Sequence, residues 1–316
     1  MTKDLAKLKP LMAALLLSSI LSGTAAAQEI AFAFTDTLSR STGLDGLART
    51  KMLINSLKRV DVPQSMFLIR TATINKNTID RLAFYSETKQ LLVNAGDNQS
   101  PLSRKSGHYM QMDIAKADRI LSQHSQYHRH IYFPYLYEGG DGDILSGLQQ
   151  YLAEHNYQPS YSNYQIQDDY LDRLYQAQLT AGNTLDLQSL QQAYVNLIVD
   201  EISAYTAQAL VLLGYYPRQV ILLHETDLTA YSMVRLVDAL REKGFRIISP
   251  EKIFSDPMAN PFYPAGYSAT GYMQAITGLA EPKRNNPYLP SSTDKEKIHR
   301  YLTAHGLANL ADHRED

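Results

Sequence analysis

From Glu29 onward, short apolar runs alternate with stretches whose apolar residues recur every three or four positions, and this alternation constrains the fold more than any other feature. Parallel strands cannot be joined by tight hairpins, so strand and helix must take turns when one sheet holds them. Residues 30–34, 65–69, 91–94, 131–133, 160–166, 220–223 and 245–248 read as strands. Between them, residues 43–60 place Leu47, Leu53, Ile54 and Leu57 on one helical face, and residues 79–88 form the next helix. Asp113 opens another through Ile114, Ala117, Ile120 and Leu121. Further helices are predicted over residues 147–155, 168–179 and 187–213, and over a segment with Met233, Leu236, Val237 and Leu240 on one face that stops at Gly244. Up to seven such units predict an α/β fold, a distorted (β/α) barrel of about seven parallel strands, with a doubly wound sheet as the alternative.

Both architectures put chemistry at the C-terminal ends of the strands. Those ends carry Thr35, Asp36 and Thr37, then residues 95–99, then Pro134 and Tyr135, and finally His224 and Glu225 after the apolar run Ile221-Leu222-Leu223. A histidine so placed is a site candidate, and it also reads as an ordinary structural histidine. A net charge of -2 on 316 residues supplies no basic footprint, which argues against nucleic acid as a partner. The 22 tyrosines, with no tryptophan, are rings that can stack on sugars or serve as half-buried surface.

Lys3, Lys7 and Lys9, the apolar residues 11–21 and Ala25-Ala26-Ala27 have the form of a secretory signal peptide over residues 1–27, with cleavage near Ala27. A periplasmic or secreted location follows. No later segment approaches the ~20 apolar residues of a membrane helix, so no integral membrane segment is expected in the mature chain. Without cysteine there is no lipid attachment point and no disulfide, and a conventional core must hold residues 28–256 together. From Pro257 the composition turns to proline, tyrosine and glycine, and residues 257–316 are expected to wrap the domain, with disorder from Gly306 onward.

The order of motifs resembles the polysaccharide deacetylases with a NodB homology domain, carbohydrate esterase family four. Ala33-Phe34-Thr35-Asp36 stands where that family has Thr-Phe-Asp-Asp. Asn94-Ala95-Gly96-Asp97-Asn98-Gln99 stands at its Asn-His motif, with the second histidine four residues on. Tyr132-Phe133-Pro134-Tyr135 matches Arg-x-Pro-Tyr, followed by Glu138-Gly139, and Leu222-Leu223-His224-Glu225 matches Leu-Leu-His-Glu without a gap. Arg241-Glu242-Lys243-Gly244-Phe245 and Ser249-Pro250-Glu251 extend the likeness, which covers roughly residues 29–256.

The resemblance implies a fold and a set of roles. Asp36 falls on a metal-binding aspartate, His224 on the general acid, and Tyr135 on the residue whose backbone N–H supports the oxyanion. Thr35 replaces the general base, Tyr132 the arginine that orients it, and Ala95 and Gln99 the two metal histidines. Shifted by one residue, Asp36 would fall on the base instead. Tyr132, Asp169, Tyr170 and Glu225 are the expected substrate contacts, because Asp168-Asp169-Tyr170 resembles the Asp-Trp pair that borders the family's substrate groove. The same segment also reads as the amphipathic start of a helix.

Zinc-type catalysis needs two or three strong ligands and an open position, and loss of a general base alone typically costs ~10²–10⁴-fold in rate. No resident cofactor is therefore expected. A divalent metal would require a rebuilt oxygen site from Asp36 with Asp97, Asn98 or Gln99, suited to magnesium or calcium. His124, His128 and His130 read as a solvated helix end at the N-terminal side of the barrel, His108 lies near the third-strand loop, and the acidic turn 138–143 reads as solvated. Two functions remain open: an exported glycan-binding protein that keeps the deacetylase cleft with the metal-dependent mechanism lost or severely weakened, and an active C–N hydrolase deacetylating a cell-envelope glycan through a rebuilt site. The expected partner in both is an N-acetylated polysaccharide or peptidoglycan.

Overall fold

The structure is a computed structural model that describes residues 28–39, 43–98, 107–132, 142–159, 164–166, 168–254 and 295–311. The predicted signal peptide, Gln99, Tyr135 and the acidic turn up to Asp141 lie outside the described residues, as do residues 255–294 and 312–316.

Among the described residues eight strands form one sheet: β1 (Gln28–Thr35), β2 (Met66–Ile69), β3 (Leu91–Asn94), β4 (Tyr127–Ile131), β5 (Gln158–Pro159), β6 (Tyr164–Gln165), β7 (Gln219–His224) and β8 (Phe245–Ile247). Their order is β5-β4-β3-β2-β1-β7-β6, and every pairing is parallel. β1 is central. Its Ile30 pairs with Gln219 on one edge and with Ile247 on the other, so β8 lies beside its first half, whereas β2 begins opposite Ala33. The strand expected over residues 160–166 is replaced by the two short strands β5 and β6, which end the order on opposite sides. No ladder between them is found among the described residues.

The connecting helices are α1 (Gly46–Arg59), α2 (Ile79–Glu87), α3 (Gly107–Leu121), α4 (Gly142–Glu154), α5 (Asp168–Thr180), α6 (Leu187–Leu213), α7 (Asp227–Glu242), α8 (Pro250–Ile253), α9 (Lys295–Ala304) and α10 (Ala308–Ala311). Side-chain caps start several of them: Asp45 accepts N–H bonds at α1, Asp186 at α6 and Thr226 at α7. Among the described residues no helix is long and apolar enough to cross a membrane.

The period of two along each strand divides the core into two layers. Ile30, Phe32, Phe34, Phe67, Ile221 and Leu223 face outward into the large cluster under the helices, where α1 supplies Leu53, Ile54 and Leu57 and α7 supplies Met233, Leu236, Val237 and Leu240. Ala31, Ala33, Met66, Leu68, Val93, Ala95, Val220 and Leu222 face inward and meet Ile253 of α8. The apolar residues that β1 contributes to the inner layer are the alanines Ala31 and Ala33. Enlarging one should strain the sheet: Ala33→Leu is expected to cost about 1–3 kcal/mol, read as a lower urea midpoint at unchanged slope.

Three sequence expectations are corrected here. Asp113 does not open a helix but sits inside α3, which begins at Gly107, and its carboxylate accepts the N–H groups of Asp97 (2.9 Å) and Asn98 (3.0 Å). His128 and His130 belong to β4 and not to a helix end; His130 is buried, its ring 3.9 Å from that of Phe254, and burial first and His128 second lower its pKa to about 4. Leu307 and Leu310 are buried with Ile298 and Leu302 in the outer cluster beside Tyr170, so the expected disorder does not begin at Gly306.

Candidate functional site

The site grows from the ends of β1 and β7, where Thr35 pairs with His224 and the Glu225 N–H donates to the Thr35 carbonyl at 2.9 Å. Alternation points His224 inward with Val220 and Leu222, and Glu225 outward with Ile221 and Leu223. Neighbours in sequence therefore serve different environments.

His224 is only 6 % exposed and is bound through Nδ1 to Asp168 Oδ1 at 2.6 Å. Asp168, in the first turn of α5, also accepts the His224 backbone N–H at 3.0 Å, the Tyr194 hydroxyl at 3.1 Å and the Thr229 hydroxyl at 3.2 Å. Four hydrogen bonds thus converge on that carboxylate at the start of α5. Burial by itself lowers the His224 pKa, but the charge and hydrogen bond of Asp168, followed by the charges of Asp169 and Asp36, raise it to about 9. His224 is thus an imidazolium at neutral pH. With Nδ1 committed, Nε2 is the atom that can meet a ligand, and no partner for it is found among the described residues.

Asp36 is exposed at the same mouth with φ 50°, a left-handed conformation that aspartate tolerates better than most residues. Its turn is tied down from below. Thr37 donates its hydroxyl to the Leu68 carbonyl at 2.6 Å, and the Ser39 carbonyl accepts Arg49 Nη2 at 2.6 Å and Arg81 Nη1 at 2.8 Å.

Those two arginines belong to a buried network around Glu225. Its carboxylate receives Arg81 Nη2 at 2.9 Å, the Thr50 hydroxyl at 2.5 Å and the Tyr85 hydroxyl, while Arg49 Nη1 lies 3.6 Å from Asp227 Oδ1. Burial and then Glu225 push the Tyr85 hydroxyl well above its ordinary pKa, which keeps it a neutral donor. Glu225, expected to touch substrate, is fully buried and does not reach the cleft. The sequence signal for this network is present in hindsight: Arg49 shares a helical face with Leu53, and Arg81 with Leu82 and Tyr85, positions where a solvated arginine would be out of place.

Two more expected contacts are corrected. Tyr170 is 2 % exposed, with its hydroxyl 2.5 Å from His299 Nε2 and Lys295 Nζ over its ring at 4.8 Å, so α9 covers the face that would stack on a sugar. Tyr132 lies largely buried in the inner cluster with Ala95. Asp169 does reach the site: it is partly exposed, its Oδ1 4.0 Å from His224 Nδ1 and its other oxygen paired with Arg173.

Among the described residues Asp36 belongs to no group of three metal-ligating side chains. Ala95 offers a methyl group packed among apolar side chains. Asp97 is buried and fully engaged, taking the Thr71 hydroxyl at 2.8 Å, the Asn98 amide at 3.0 Å and Lys116 Nζ at 2.6 Å. Asp168, Asp169 and His224 offer ligand atoms within 4.8 Å of one another. The His224–Asp168 bond and the other donors on Asp168 occupy Nδ1 and the Asp168 oxygens, which leaves His224 Nε2 and Asp169 Oδ1 as the atoms of this group open to a cation. His108 is exposed on α3 and joins no such group among the described residues.

Two predictions follow from these pairings. In nitrogen-detected NMR titration His224 should show a pKa near 9, and Asp168→Asn should bring it to or below its ordinary value. Because the folded value is raised, the stabilisation is full below the unfolded value of ~6.5 and lost as pH rises through about 9, a loss on the order of 3 kcal/mol in denaturant melts. Arg81→Met should cost about 3–5 kcal/mol by leaving Glu225 buried and uncompensated, and Arg81→Met with Glu225→Gln should recover part of that.

No family model matches the sequence, and no curated protein matches it. Solved structures do. The chitin deacetylase of the fungal pathogen Colletotrichum lindemuthianum superposes with a TM-score of 0.50 at 15% identity, covering 78% of this chain and 93% of that one. A pseudoenzyme of carbohydrate esterase family four from Bacillus anthracis gives 0.48 at 11% identity, covering 73% of this chain and 66% of its own. A family 4 acetyl xylan esterase from Clostridium thermocellum, in complex with a cobalt ion, gives 0.45 at 12%, covering 72% and 90%. At these identities the likeness is one of architecture, and the chain has the parallel α/β fold of the NodB-type polysaccharide deacetylases.

Proposed function

We propose that this chain is an exported, deacetylase-like protein of carbohydrate metabolism that binds an N-acetylated glycan at the mouth of β1, β2, β3 and β7 without metal-dependent hydrolysis. The observation that carries the reading is the pairing of an intact His224–Asp168 couple with a β3 loop whose only acid, Asp97, is bound to Lys116 and Thr71. A charged hydrogen-bond donor persists where the donors for a cation do not. The His224 Nε2–H supplies a charge-assisted hydrogen bond to an acetamido carbonyl, and Asp36 and Asp169 flank it. Export rests on the Lys3, Lys7, Lys9 and apolar 11–21 pattern before Ala27.

One observation favours a second reading, an amide hydrolase that removes acetyl groups from a cell-envelope glycan: His224 is held in the acid form that a leaving amine would require. Purified protein separates the two. Titration with chitotetraose is expected to show binding that His224→Ala weakens by about tenfold or more, with no acetate release and no stoichiometric metal by elemental analysis. Acetate release abolished in His224→Ala, with stoichiometric metal, would install the hydrolase reading instead. Neither binding nor release would remove both.

A further inference from the structure

Arg70 has no part in the site as built so far. It follows β2 directly, with extended backbone (φ -90°, ψ 109°), so the alternation that turns Met66 and Leu68 inward turns Arg70 the same way, one step beyond the inner layer. The register fixes what lies beside it. Ile69 pairs with Asn94 and the Ala95 N–H donates to the Ile69 carbonyl at 3.1 Å, which brings Arg70 level with Ala95. On the other side of β2, Met66 pairs with Ala33 of β1 and Thr35 pairs with His224 of β7, so Arg70 stands two residues further along the sheet than His224. Strands ~4.8 Å apart and a rise of ~3.3 Å per residue put the Arg70 and His224 backbones ~12 Å from each other, a gap that one sugar ring with its substituents spans. Arg70 is exposed, and no hydrogen bond or ion pair of its guanidinium is found among the described residues. Arg59, Arg119, Arg235 and Arg241 are likewise exposed, but they lie on helices, whereas Arg70 stands at the end of β2 beside the site.

We infer that Arg70 and His224 together form an anion-recognition pair at the mouth of the fold, and that the glycan it takes carries a carboxylate, as a uronic acid or a lactyl ether does, beside its N-acetylated sugar. The inference rests on the glycan-binding reading and narrows its substrate class. A guanidinium presents two parallel N–H donors that match the two oxygens of a carboxylate, whereas a neutral sugar uses neither the fork nor the charge. Asp36, exposed at the same mouth and close enough to act on His224, is the like charge an acidic ligand must pass. Removing it should help that ligand and leave a neutral one unaided.

The probes are a hyaluronan tetrasaccharide, the same tetrasaccharide with its carboxylates methyl-esterified, and chitotetraose. The acid is expected to bind at least about tenfold more tightly than its ester, with the difference shrinking as salt is raised. Arg70→Ala should abolish that preference, Arg70→Lys should restore only part of it, and Asp36→Asn should strengthen binding of the acid alone. Arg119→Ala, an equal loss of charge on α3, should change nothing. Equal affinity for acid and ester, or an unchanged preference in Arg70→Ala, overturns the anion pair while chitotetraose binding leaves the glycan reading standing. If none of the three oligosaccharides binds, the glycan reading falls and takes the pair with it.

Discussion

At the end of β7 two buried charges leave the backbone in opposite directions, and the arrangement of the site depends on both being satisfied. His224 turns to Asp168 inside the mouth, and Glu225 turns to Arg81 and Tyr85 beneath the helices. An ion buried without a partner costs several kcal/mol, so each of these residues dictates what must stand next to it. Asp168 must be at the start of α5, where the His224 backbone N–H and two hydroxyls help to hold it. Arg81 and Arg49 must come from the inner faces of α1 and α2. The positions of three helices relative to the central strands are thereby linked to two adjacent residues of one strand.

The same network reaches the mouth from below. Arg49 and Arg81 both donate to the carbonyl of Ser39, three residues after Asp36, so the turn that follows β1 is held by the guanidinium groups that neutralise Glu225. The Glu225 N–H closes the ring by donating to Thr35. Rigidity of the mouth comes from charge pairing under the sheet, and the cleft is free to differ in its exposed side chains without loss of shape. That separation of scaffold from surface accounts for how a NodB-type fold can carry Ala95 and a salt-bridged Asp97 in its β3 loop.

Most of the architecture could be read from the chain in advance, and the errors have specific origins. The apolar runs of β1, β2, β3 and β7 are buried on both faces, so their existence needed no tertiary information. Glu225 was misassigned because motif reading treats neighbouring residues as neighbours in space, whereas a strand sends them to opposite layers. Asp168 and Asp169 are adjacent acids with different fates for the reason that a helix start separates them by about 100°: one is enclosed by Tyr194, Thr229 and His224, the other reaches the rim. Tyr170 lost its predicted exposure to α9, more than a hundred residues later in the chain, a contact no local pattern contains. His130 reads as polar, and its burial against Phe254 depends on where α8 closes the inner layer.

Local chemistry thus determined which segments become strands and helices, that the strands run parallel, and that His224 and Asp36 emerge at the same end, because periodicity and the length of the connections act over a few residues at a time. Tertiary structure alone decided which charges are paired and which are left to face a ligand. Ionisation at His224, the silence of Asp97 and the freedom of Arg70 are set by groups brought together across dozens of residues, and the energy of a charge is a property of its surroundings, which no stretch of sequence carries by itself.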